Sequence, residues 1–140
     1  MDNYNVLVLM QKDPSTNEFL DTVLSVQMEE GLENVLKAYI SEENKELFIY
    51  LYLTTPEVED WEFYGIYEEY SDDLFESFGG ILEEYEDFNP AWLLKLPYGK
   101  DELENETLIR AVVKNHYNEI LRVRESIWAK KDEYTAMASE

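Results

Sequence analysis

The sequence predicts an α+β domain: a mainly antiparallel sheet of three to four strands packed against helices, ordered β-β-α-β-α-α-(β)-α and closed by a long C-terminal helix. Three observations lead there. Two β-prone runs near the N-terminus are separated by turn formers, Glu46 to Thr54 is almost wholly aliphatic and aromatic, and the last third of the chain carries apolar residues at helical spacing. At 140 residues with 45% hydrophobic residues, one core is the expected organisation. The expected boundaries are a single acidic domain over residues 1–133 and a frayed tail over 134–140.

Taken in order, Tyr4 to Met10 reads as a first strand, ended by the turn formers Lys12 to Asn17. Phe19 to Met28 alternates Leu20, Thr22, Leu24 and Val26 with Asp21, Ser25 and Gln27, as a strand with one wet face does, so the two runs form a hairpin. Glu29 to Ile40 places Leu32, Val35, Leu36, Tyr39 and Ile40 three and four apart, which predicts a helix ending at Glu42-Glu43-Asn44. Glu46 to Thr54 is expected in the middle of the sheet.

Thr54-Thr55-Pro56-Glu57 has the make-up of a helix start, followed at helical spacing by Phe63, Ile66, Tyr67, Tyr70 and Leu74. Ser71-Asp72-Asp73 predicts a second cap, with Leu74, Phe75, Phe78, Ile81, Leu82 and Tyr85 as a further stripe that Gly79-Gly80 weakens. Trp92 to Leu96 suits a short strand or a packed loop. Asp101 to about Lys131 predicts the long helix, with Ile109, Val112, Val113, Ile120, Val123 and Ile127 facing inward.

Charge is the chain's strongest functional signal. Its 32 acids and 11 bases give a formal net charge of −21, far beyond the roughly 2–8 of a comfortable small domain. High-salt adaptation is the weakest explanation, because Lys outnumbers Arg and Tyr and Phe are plentiful. Such a surface disfavours nucleic acid and anionic membranes and favours a basic protein partner. The chain has no cysteine, and its N-terminus shows neither the basic region nor the apolar stretch of a signal peptide. No run is long enough to span a bilayer, so a cytoplasmic setting is expected.

Catalytic signals are weak. Carboxylate pairs can be picked out anywhere, but they lie among other acids on solvated faces instead of in surroundings that would separate their pKa values. A small hydrolase would need a cleft holding two such acids. His116, the only histidine, falls on the apolar side of the last helix and reads as a core residue. One histidine without cysteine makes zinc improbable, and Asp72-Asp73 through Glu76 lacks the spacing and glycine of a calcium loop. No phosphate-binding glycine motif occurs, so no metal, cofactor or catalytic residue is expected.

The segment between Pro56 and Pro90 stands out. It carries Glu57, Glu59, Asp60, Glu62, Glu68, Glu69, Asp72, Asp73, Glu76, Glu83, Glu84, Glu86 and Asp87 without one Lys or Arg, interleaved with aromatics. Ordinary solvated helices mix Glu with Lys to gain i,i+4 pairs, and this segment does not. Carboxylates held on rigid helices can imitate a row of phosphates, with aromatics supplying apolar contact. The expected partner-binding residues are Glu59, Asp60, Trp61, Glu62, Tyr64, Glu68, Glu69, Asp72, Asp73 and Glu76. The bases of the last helix, Arg110, Lys114, Arg122, Arg124, Lys130 and Lys131, either answer its own dipole or pair with this segment.

In size, charge and lack of a catalytic motif the chain resembles acidic inhibitors carried by phages and mobile elements, such as anti-CRISPR and anti-restriction proteins. That resemblance assigns no residues. It implies an inhibitor or regulator that presents a nucleic-acid-mimicking helical face to a basic nucleic-acid-handling protein. The alternative is a non-catalytic accessory or structural domain, self-associating as a homodimer through exposed aromatics.

Overall fold

The computed structural model describes residues 5–28, 30–85 and 87–139. Tyr4, Glu29, Glu86 and Glu140 of the expectations above lie outside the described residues. The fold is α+β, with one mixed six-stranded sheet in the order β2-β1-β3-β4-β6-β5 and three helices. The sheet is therefore larger than the three to four strands expected, and not wholly antiparallel. Two of the additional strands come from segments whose apolar spacing predicts helix.

Strands β1 (Asn5–Lys12) and β2 (Phe19–Met28) form the expected hairpin. Its turn is fixed by Asp13, whose Oδ1 accepts from Ser15 N–H at 2.8 Å, and by Asn17 at φ 63°. The expected helix over 29–40 is replaced by a single 3-10 turn, Leu32–Asn34, and strand β3, Val35–Glu43. A strand alternates its side chains between two faces, so this spacing puts apolar residues on both faces of β3, where Tyr39 and Ile40 are both buried, and the following turn sets the strand against the helical pattern. Asn44 and Lys45 both take positive φ, 55° and 68°, the two-residue geometry that joins antiparallel strands with the correct twist. β3 thereby pairs with β4 (Glu46–Thr54), bringing Tyr39 opposite Tyr50 and Ile40 opposite Ile49.

β3 and β4 are the two middle strands, as the apolar run of β4 predicts. The parallel contact is short: Met10, Gln11 and Lys12 of β1 pair with Tyr39, Ile40 and Ser41 of β3. β6 (Ala91–Pro97) lies beside β4, and β5 (Ile81–Tyr85) forms the edge beyond it.

Helix α1 spans Asp60–Glu69. It starts later than Thr54-Pro56 suggests, because Thr54 closes β4 and spends its hydroxyl on the Pro90 carbonyl, at 2.9 Å. The expected helix over 74–85 is cut short. A 3-10 turn, Glu76–Phe78, runs into Gly79 at φ 74° and then Gly80, where a Cβ would lie 3.0 Å from the Phe75 carbonyl oxygen. The chain is turned there into β5.

Helix α2, Glu102–Trp128, is capped by Asp101, whose carboxylate accepts from the Leu103 and Glu104 N–H groups. Its stripe, Ile109, Val112, Val113, Ile120, Val123 and Ile127, is buried against Leu7, Leu9, Leu24, Ile40, Ile49, Leu51 and Leu94 of the sheet. Residues 134–138 of the tail expected to fray belong to helix α3, Lys131–Ala138, with Tyr134 buried. All three helices contribute to the core on this one face of the sheet. None of them is long and apolar enough to cross a membrane among the described residues.

Candidate partner-binding groove

The first turn of α1 is built from acids. Glu59 flanks its N-terminus, and its backbone N–H donates to Glu62 Oε1 at 3.2 Å, while its Oε2 accepts from Trp61 Nε1 at 2.8 Å. Early carboxylates suit the positive end of the helix. The remaining oxygen of Glu62 accepts from Arg124 Nη2 and Nε on α2, at 3.2 and 3.3 Å, and the residue is buried. Trp61 is buried as well, edge-on to Trp128 with Lys131 over both rings.

At the other end of α1, Glu69 is the centre of a polar cluster that ties three helices together. Its Oε1 accepts from Ser126 Oγ at 2.6 Å, and its Oε2 accepts from the Tyr134 hydroxyl at 2.6 Å and Lys130 Nζ at 3.2 Å. Burial opposes the charge, but these donors outweigh it and hold the Glu69 carboxyl below its ordinary pKa. Burial and the same contact push the Tyr134 hydroxyl up to about 12.

Glu119 on α2 is arranged alike, accepting from Ser71 N–H and from Arg122 through both of its oxygens, all at 2.8 Å. There too the donors overcome burial and lower the pKa. Arg122, Arg124 and Lys130 are thus committed to Glu119, Glu62 and Glu69.

The ten residues expected to meet a partner therefore divide. Trp61 and Glu62 are buried, Glu69 is tied into the helix cluster and Glu59 bonds the Trp61 indole, so these four build the scaffold. Asp60, Tyr64, Glu68, Asp72, Asp73 and Glu76 are exposed. They do not form one helical row, because α1 ends at Glu69 and Asp72, Asp73 and Glu76 lie in the turns beyond it.

Asp60, Tyr64 and Glu68 come together in a groove of about 470 Å³, lined also by Phe63 and Tyr67 of α1, Glu84 of β5, and Met137 and Ala138 of α3. Tyr64 is 47% exposed. A smaller depression of about 180 Å³ shares Tyr67 and Glu84 with it and reaches Asp72, Tyr70 and Trp92. Every charged residue lining the two is an acid. Tyr67 helps fix the floor: its hydroxyl accepts from Ala91 N–H at 2.9 Å, which attaches α1 to β6.

Met137 and Ala138 were missed because the tail was read as frayed. The apolar spacing of Tyr134, Met137 and Ala138 is the signal that could have found them.

His116 is buried as expected. Its Nε2 donates to the Thr54 carbonyl at 2.6 Å, which leaves Nδ1 to accept from the Tyr70 hydroxyl at 2.7 Å. Burial pushes its pKa down to about 4, against the pull of the Thr54 bond and the charge of Glu119. The imidazole is neutral at neutral pH and links α2 to β4 and to the end of α1. Among the described residues, no three His, Asp or Glu side chains are grouped to hold a metal ion.

Comparison with known proteins places the chain in a family. It belongs to a family of unknown function, DUF6762, whose model matches residues 1–135. No curated protein and no solved structure matches it. The matched range takes in α1, α2, β5 and Tyr134, and so nearly the whole groove apart from Met137 and Ala138.

Proposed function

We propose that this member of the family is a small acidic binding protein that docks a basic segment of a nucleic-acid-handling protein in the groove between α1, α3 and β5. The carrying observation is that Asp60, Glu68 and Glu84 converge there on Phe63, Tyr64 and Tyr67 with no cation in the lining. A Lys or Arg side chain entering the groove meets carboxylates and ring faces together, the combination that recognises a cationic group.

Three bases at the end of α2 and in the turn after it strengthen this reading by being engaged elsewhere. Arg122, Arg124 and Lys130 neutralise Glu119, Glu62 and Glu69 at the helix contacts, so the acids around the groove stay uncompensated. A net charge of −21 steers a basic partner toward the molecule, and Asp72 in the adjoining depression extends the acidic surface. Such a surface competes with nucleic acid for the partner's Lys and Arg, which makes the protein an inhibitor or regulator of that partner.

The test is capture of basic proteins from a host-like lysate at about 50 and 300 mM salt, either side of the screening expected near physiological strength. The bait is compared with its Asp60→Asn, Glu68→Gln, Glu84→Gln triple variant, and duplex DNA or RNA is added as competitor. A nucleic-acid-binding protein held at low salt, released by duplex and lost with the triple variant supports the proposal. Retention indifferent to salt, competitor and variant overturns it in favour of an accessory domain.

A further inference from the structure

The helices cover one face of the sheet, and the other face has a different chemistry. The pairing register points Lys37, Tyr39 and Ser41 of β3, and Phe48, Tyr50 and Tyr52 of β4, away from the core. Their rings join into a ladder across the strands. Phe19 of β2 meets Tyr39 edge-on at 6.1 Å, Tyr39 stacks on Tyr50 at 5.1 Å, and Tyr52 meets Tyr85 of β5 edge-on at 5.0 Å. Lys12, Lys37 and Lys95 lie over these rings, at 4.7 Å from Tyr39, 4.3 Å from Tyr52 and 4.2 Å from Phe48. Around the ladder Val6, Val8, Phe19 and Ile81 are 42–60% exposed. Among the described residues no helix lies on this face.

Two properties of the face select its occupant. The first is charge. The strand register gives it Lys12, Lys37 and Lys95 against Glu43, Glu46 and Glu83, which sum to zero on a chain whose net charge is −21. Glu43 and Lys95 already pair at 2.6 Å. Copies of so acidic a chain repel one another over the rest of their surface, but this face meets its copy with no net charge.

The second property is size. Six strands at about 4.8 Å spacing and about 26 Å of strand length present about 700 Å², close to the roughly 800 Å² per partner of a stable interface. A basic partner gains nothing from a neutral surface. Single-stranded nucleic acid needs open ring faces, whereas Tyr39 and Tyr52 are each only 9% exposed, with a lysine over each ring.

We infer that this sheet face binds a second copy of the chain, the two sheets packing face to face as a symmetric dimer. The contact joins aromatic and aliphatic side chains with charges that sum to zero, while the surrounding surfaces repel. Added salt therefore screens the repulsion and strengthens the dimer, the opposite of its effect on a basic partner in the groove.

Sedimentation equilibrium on the full chain tests this, at roughly 50 and 500 mM salt, spanning strong to weak screening. The comparison is with a Val8→Lys, Phe19→Lys double variant, whose positions are exposed and whose fold is checked by circular dichroism. The expected result is a mass that rises toward twice the chain mass as salt increases, and a double variant that stays at single mass under every condition. The groove triple variant should dimerise like the wild type. A wild-type chain that remains monomeric at about 100 μM in both salts, an association weakened by salt, or a dimer that survives the double variant each overturns the inference. None of these outcomes bears on capture of a basic protein by the groove, so the two proposals fail separately.

Discussion

Tyr134 donates its hydroxyl to Glu69 Oε2 at 2.6 Å across 65 residues of sequence, and this bond fastens the last helix to the first. Tyr134 is 6% exposed, so the bond lies in a largely dry contact. Hydrogen bonds to charged groups in such settings contribute about 1.5–3 kcal/mol.

Tyr134→Phe should therefore destabilise the fold by about 1–2 kcal/mol, the lower part of that range because Ser126 and Lys130 still satisfy Glu69. For a chain of this size the melting temperature should fall by about 3–6 °C, measured by circular dichroism. An unchanged melting temperature would mean that α3 is not docked through this bond.

The crossing of α1 with α2 and α3 passes over Gly65. A Cβ there would sit 2.8 Å from Ile127 Cγ2 and 3.1 Å from Tyr134 Cδ2. Gly65→Ala gains helix propensity but overpacks this contact, and overpacking costs about 1–3 kcal/mol. A urea midpoint shifted downward with an unchanged slope is the expected outcome. A midpoint that rises would show that propensity outweighs the clash.

The same residues explain what the sequence could and could not reveal. The hairpin of β1 and β2, central β4 and helix α2 were legible because turn formers, a near-continuous apolar run and a sustained helical stripe each favour one local structure. β3 and β5 were not. In Val35 to Ile40 and Leu74 to Tyr85 the apolar residues have helical spacing, and backbone geometry at Asn44-Lys45 and Gly79-Gly80 overrode it. The acidic segment was legible as a region, whereas its division was not. Glu62 and Glu69 find their partners Arg124 and Lys130 more than 60 residues away, and only tertiary structure makes that pairing.

His116 gives the fold a dependence on pH. Its pKa falls from an ordinary 6.5 to about 4 on folding, so between those values the unfolded chain binds the proton and the folded chain does not. This contribution is complete above about pH 6.5 and is lost as the pH falls toward 4, amounting to roughly 3 kcal/mol. Depressed Glu69 and Glu119 act in the same direction, their stabilisation vanishing as the pH falls through their folded pKa values. Because His116 is the only histidine, its imidazole proton resonances report directly. They should stay at the neutral position down to about pH 5, and a midpoint near 6.5 would contradict the buried, Thr54-bonded ring.

Scaffold acids and groove acids should respond differently to neutralisation. Glu62 is buried against Arg124 and also accepts from the Glu59 backbone, so Glu62→Gln leaves the guanidinium without its counter-charge and should cost about 1–3 kcal/mol. Glu68 is exposed in the groove beside Tyr64, and Glu68→Gln removes one negative charge from a chain carrying −21. Its effect on stability should stay within about 0.5 kcal/mol and lean toward stabilisation, because self-repulsion falls. Binding should show the reverse order. In fluorescence anisotropy with a labelled oligo-lysine peptide at low salt, Glu68→Gln should weaken affinity several-fold and Glu62→Gln should barely change it. Equal losses from both would mean that attraction comes from total charge alone, and the groove would then hold no special place on the acidic surface.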